Sequence, residues 1–160
     1  RENFRPFAPS VLKEHAGDWF ESGKESPYML LVSNIKEIKR IKMTPIEKKM
    51  FGIDKLNIPR SSVPAITHVD YSARIQTVDH EINPKYYLLI KRFYELTGCP
   101  IVINTSFNIR GEPIVCDPID AFKCFMGTDL DVLVIGNFFL SKEEQKSSLI
   151  KDYRDKYELD

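Results

Sequence analysis

The run from Asn83 to Ile103 narrows the folds open to this chain more than any other. Asn83-Pro84 supplies a cap and a first-turn proline, Tyr86, Leu89, Ile90, Phe93 and Leu96 recur at helical spacing, and Gly98 ends the pattern. Cys99-Pro100 leads straight into Ile101-Val102-Ile103, a short apolar run of strand character. A helix with one apolar stripe joined tightly to a buried strand has to pack on a sheet, which predicts an α/β (α+β) domain. Asp117-Pro118 opens a second capped helix to about Met126, stopped by Gly127, and Val132–Ile135 and Phe138–Leu140 flank a Gly136-Asn137 turn. Tyr28–Val32 reads as a strand, and Ala65–Val69 with Arg74–Val78 as a hairpin around Asp70–Ala73. With hairpins interrupting the alternation, the expected sheet is mixed. Ser10 is expected to cap a short helix running towards Phe20, and the tail from Ser141 to form a charged helix.

The stretch from Lys36 to Pro64 is basic, weakly periodic and broken by Pro45 and Pro59, so it reads as a long insertion with one helical turn near Ile46 to Phe51. At 160 residues the chain is most simply one domain, with room for a real core. Twenty-three basic and twenty-three acidic side chains cancel, so no global field points to nucleic acid or a membrane surface. Cys99, Cys116 and Cys124 form neither a disulfide framework nor a zinc pattern, and a cytoplasmic setting is expected. No apolar run has the length of a membrane span. The chain begins with Arg1 inside what reads as a motif, so an excised piece of a longer protein is expected.

Chemistry concentrates where the Ile101–Ile103 strand runs into Asn104-Thr105-Ser106-Phe107-Asn108-Ile109-Arg110. Amides and hydroxyls of fixed reach beside an arginine fork suit a small polar group carrying phosphate. The same residues suit equally a turn that satisfies its own backbone. Arg74, at the start of a strand and with His68 expected on the paired strand, can hold a phosphate, or pair with Asp70 or Asp79. Arg1 and Arg5, interleaved with Phe4 and Phe7, form a cationic and aromatic edge. Glycine-rich phosphate loops, a Gly-x-Ser-x-Gly elbow and a His-Glu-x-x-His motif do not occur.

Taken together, RENFRPFAPSVL, SPYMLLV, PAITHVDYSARIQTV, NPKYYLLI, TGCPIVINTSFNIRGEPIVCDPIDAF and DVLVIGNFFL resemble the C-terminal domain of the nodulation-type O-carbamoyltransferases. The likeness covers residues 1–142 apart from an insertion at about 41–63, and leaves 143–160 as a separate tail. It implies a YrdC-like twisted mixed sheet with flanking helices, binding carbamoyl phosphate and ATP, with Mg2+ carried by the ATP, to make carbamoyl-adenylate. The implied partner is a preceding Kae1-like domain of the same protein, holding iron or another divalent metal, which passes the carbamoyl group to a hydroxyl of a sugar or natural product. By the same likeness Arg74, Asn104 and Ser106 are the implied catalytic set. Arg1, Arg5, His68, Thr105, Asn108 and Arg110 are the implied substrate and nucleotide contacts. The family lysine preceding the Arg1 segment is not in this chain, so a domain inactive in isolation is expected. A non-catalytic nucleotide-binding or interaction module, and a domain that makes threonylcarbamoyl-adenylate, are the alternative readings.

Overall fold

The computed structural model describes residues 6–109 and 111–146. In chain order the elements are β1 (Ala8–Leu12), a 3-10 turn, α1 (Ala16–Trp19), β2 (Leu31–Asn34), α2 (Pro45–Lys49), α3 (Gly52–Leu56), β3 (Ser72–Val78), α4 (Pro84–Thr97), β4 (Ile101–Asn104), α5 (Pro118–Met126), β5 (Val132–Ile135) and β6 (Phe138–Ser141). They fall into two compact units that divide between Thr105 and Ser106.

The first unit is built on a four-stranded sheet ordered β2-β3-β1-β4. β3 runs parallel to β1 and antiparallel to β2, while β4 runs antiparallel to β1, so the sheet is mixed as expected. Alternation along β3 sends Ala73, Ile75 and Thr77 into one face, where Val11, Phe20, Ile35, Ile66 and Ile101 complete the main core. On the other face Leu12 and Val78 pack under Ile90 of α4, flanked by Tyr86, Tyr87 and Tyr94. α4 forms as its sequence dictates: the Asn83 side chain accepts from the Tyr86 N–H, Pro84 opens the first turn, and Gly98 ends it in the left-handed conformation at φ 72°.

Three expectations fail in this unit. Ala8–Leu12 is a strand with every residue buried, between two neighbours, and Ser10 caps no helix. Pro9 withholds a ladder donor, yet pairing with distant partners on both sides holds the strand. Ala65–Val69 makes no hairpin. Pro64–Ile66 is a 3-10 turn, His68 accepts from Tyr71 N–H in the tight turn that follows, and β3 pairs with β2 and β1 instead. The apolar run at Tyr28–Val32 is displaced: β2 begins only at Leu31, and Tyr28 and Leu30 face solvent.

The 36–64 stretch is built from short helices. Thr44 and Glu47 form a reciprocal capping box on α2. The buried Arg60 guanidinium donates to the carbonyls of Lys55, Leu56 and Ile58, closing the C-terminal end of α3.

Just past the parallel ends of β1 and β3, the Lys13 ammonium bonds Asp79 at 2.6 Å and Glu25 at 2.9 Å. Lys13 holds the Asp79 carboxyl below the usual carboxylate range, helped by the Glu81 N–H. A depressed carboxyl stabilises the fold above its unfolded pKa, about 4, and that contribution disappears as pH falls through the lower folded value. Melting temperatures of the wild type and Asp79→Asn should therefore converge as pH is lowered below about 4. A constant gap down to the lowest folded pH would show that the pair contributes nothing through its charge.

The second unit pairs β5 with β6 in an antiparallel hairpin and sets α5 on it through Ala121, Phe125, Met126 and Leu133. Asp117 caps α5 by accepting from the Asp120 N–H. At the other end the Lys142 ammonium donates to the carbonyls of Phe125 and Thr128 and lies over the Phe125 ring, where a cation complements the helix dipole. The charged helix expected from Ser141 does not form where the tail is described: Ser141 ends β6 and a turn follows, with Glu144 N–H and Gln145 N–H donating to the Ser141 and Lys142 carbonyls, while 147–160 lie outside the described residues.

Candidate functional site

Beyond the α4 contact, the first unit's second sheet face carries a row of polar side chains, with Ser10 buried, Gln76 and Asn104 half-buried and Arg74 exposed. Gln76 follows Arg74 by two residues on β3 and so shares its face. Ser10 stands opposite Gln76 on β1, and Asn104 stands opposite Ala8 on β4. Ala8 and Arg74 each lie two residues before the Ser10–Gln76 pair, so the small alanine side chain sits between the arginine and the asparagine rows of the sheet.

Gln76 ties the row together. Its Oε1 accepts from Ser10 Oγ at 2.6 Å and from Asn104 Nδ2 at 2.7 Å, while its Nε2 donates to the Pro27 carbonyl at 3.1 Å. The Pro27 loop is itself fastened. The buried Ser26 donates its N–H to Thr77 Oγ1, and its hydroxyl accepts from the N–H groups of Leu30 and Leu31. Met29, between them, adopts φ 56°, a conformation uncommon for a residue with a Cβ. Its sulfur lies 3.4 Å from Asn104 Nδ2. Arg74 is exposed, pairs through its backbone with Val32, and among the described residues makes no side-chain hydrogen bond or ion pair. The expected competitors are taken: Asp79 bonds Lys13, and Asp70 accepts from the Ser72 hydroxyl and N–H, which hold its carboxyl below the usual range.

An exposed guanidinium without a partner among the described residues and a held amide on one sheet face suit an anion attached to a small planar polar group. The expected site residues divide around this row. Arg74 and Asn104 share the face. Thr105 is exposed directly after β4, and Ser106 begins the second unit, also exposed. His68 is exposed in the turn before β3, and not on a strand paired with it. Asn108 spends its amide protons on the carbonyls of Ile109 and Glu112, with Glu112 bonding back to the Ile109 N–H, so it fastens its own loop. Arg1, Arg5 and Arg110 lie outside the described residues.

Two members of the row, Ser10 and Gln76, escaped the sequence reading. Ser10 carries the local signature of a helix cap; for Gln76 a signal is present, because strand alternation places it beside Arg74. Among the described residues no group of three or more His, Cys, Asp or Glu side chains stands together. No described helix is long and apolar enough to cross a membrane. A separate hollow in the second unit is lined by Phe122, Leu133, Ile135, Phe138 and Phe139. It offers an anion no charged partner.

The family described as Carbamoyltransferase C-terminus matches residues 1–142. An uncharacterised protein of Synechocystis sp. is 56% identical over all of this chain, which spans 26% of that relative. Nodulation protein NolNO of Sinorhizobium fredii is 43% identical over 89% of the chain, against 18% of its own length. The 3'-hydroxymethylcephem-O-carbamoyltransferase of Amycolatopsis lactamdurans is 29% identical over 90% of the chain, against 24% of its length. The chain thus spans about a quarter or less of each of these relatives.

Proposed function

Since the chain belongs to the carbamoyltransferase C-terminus family, we propose that its first unit binds carbamoyl phosphate at the Arg74–Asn104 side of its sheet and, with ATP, forms carbamoyl-adenylate. The observation that carries this reading is Arg74: a guanidinium without a partner among the described residues, on the same face as an asparagine whose amide is held by neighbours. The arginine fork takes the phosphate oxygens in a charge-assisted grip, and Asn104 faces the carbamoyl group beside it.

The chemistry needs no protein nucleophile. Water takes the phosphoryl group off carbamoyl phosphate, leaving carbamate and inorganic phosphate. A carbamate oxygen then attacks the α-phosphorus of ATP, and pyrophosphate departs. Both steps gather negative charge, so positioning and cationic stabilisation are what a site has to supply. Magnesium arrives on the triphosphate of ATP. Transfer of the carbamoyl group to an acceptor hydroxyl is assigned to a preceding domain; the 3'-hydroxymethylcephem-O-carbamoyltransferase relative carries O-carbamoyl transfer in its name.

Calorimetry with carbamoyl phosphate and with magnesium ATP, followed by a pyrophosphate assay on the mixture, tests the proposal. Both ligands should bind, and pyrophosphate should appear only when carbamoyl phosphate is present. A chain that binds ATP but not carbamoyl phosphate would be a nucleotide-binding module, and the proposal would be wrong.

A further inference from the structure

We infer that Gln76 is a positioning residue that fixes which way round the Asn104 amide stands, and thereby makes Asn104 select an amino-bearing acyl phosphate. This rests on the reading of the face as a carbamoyl phosphate site. The amide orientations follow from chemistry without reference to how oxygen and nitrogen were placed. The Pro27 carbonyl can only accept, so the Gln76 atom facing it at 3.1 Å must be the NH2 group. The Gln76 oxygen must then face Ser10 and Asn104. Asn104 in turn has to offer its NH2 group to that oxygen.

Both Asn104 amide protons have destinations, one on Gln76 Oε1 and the other towards the Met29 sulfur, a weak acceptor. Asn104 Oδ1 receives no hydrogen bond among the described residues and is the atom left for a ligand. An oxygen held in that position accepts a proton from the NH2 of a carbamoyl group. It gains nothing from the methyl of an acetyl group of the same shape. Met29, in its left-handed conformation, and the Ser26 staples hold the loop that supplies the Pro27 carbonyl. The order of control therefore runs from Pro27 to Gln76 to Asn104 to ligand.

The test compares carbamoyl phosphate with acetyl phosphate by calorimetry on the 160-residue chain, with inorganic phosphate as the measure of the anion grip. The wild type should prefer carbamoyl phosphate by about tenfold, the worth of one neutral hydrogen bond. In Gln76→Leu the preference should shrink to within about twofold while inorganic phosphate binds as before, because the freed Asn104 amide turns either way. Ser10→Ala, which leaves the Pro27–Gln76–Asn104 order intact, should keep the preference.

A preference that survives in folded Gln76→Leu overturns the positioning role and leaves the carbamoyl phosphate reading standing. Equal binding of the two acyl phosphates by the wild type does the same. Loss of all carbamoyl phosphate binding in the wild type removes both. Should Gln76→Leu fail to fold, nuclear Overhauser contacts in the wild type decide the matter: Asn104 side-chain NH2 protons close to the Met29 methyl are expected, and an amide that rotates freely contradicts the inference.

Discussion

Arg74→Ala should weaken carbamoyl phosphate binding by roughly ten- to a hundredfold, the worth of a charge-assisted contact, while melting within error of the wild type. Both halves follow from one observation: the guanidinium is exposed and without a partner among the described residues. Removing it leaves no buried charge or orphaned bond, and exposed substitutions of that kind change stability by about 0.5 kcal/mol or less. Arg74→Lys should recover part of the affinity, since it restores the charge without the planar fork. An Arg74→Ala chain that binds carbamoyl phosphate normally would place the anion elsewhere.

The second large effect is structural. Phe20 is fully buried in the main core of the first unit and bridges to Ile35 beyond the end of β2. Truncation to alanine leaves a cavity that the sheet and the surrounding residues fill only in part, and Phe20→Ala should lose about 3–5 kcal/mol of stability. Chemical denaturation should show the midpoint falling at constant slope. A loss below about 1 kcal/mol would mean that the site is far less tightly packed than its burial indicates.

Legibility in the sequence followed the range of the interactions. The α4–β4 run was readable because Asn83, Pro84, the apolar stripe and Gly98 all act within a few residues of one another, and α5 with the β5–β6 hairpin for the same reason. β1 was not, because the partners of Ser10 are Gln76 and Val102, far along the chain, while Ser10 read locally as a helix cap. The false hairpin at Ala65–Val69 came from alternation without partners: the residues alternate, but the edge they would have paired with belongs to β2. Tyr28–Leu30 misled because the Ser26 hydroxyl takes the Leu30 and Leu31 N–H groups and Met29 turns the chain at φ 56°, so the apolar run joins the sheet only at Leu31.

The candidate site was half visible for related reasons. Arg74 and Asn104 stood out by type and place, but joining them required knowing that β3 and β4 flank β1. Gln76 is chemically unassuming in sequence, and its importance comes from three partners at 2.6, 2.7 and 3.1 Å that no local pattern announces. Asn108 showed the reverse: prominent by type, it turns out to hold its own loop.

The most direct measurement is a titration of carbamoyl phosphate into the isotope-labelled chain, followed residue by residue by nuclear magnetic resonance. The account predicts saturable shifts concentrated at Ala8, Val32, Arg74, Gln76 and Asn104, with the Asn104 side-chain amide among the most affected. Shifts confined to residues 106–146, or none at saturating ligand, would contradict it.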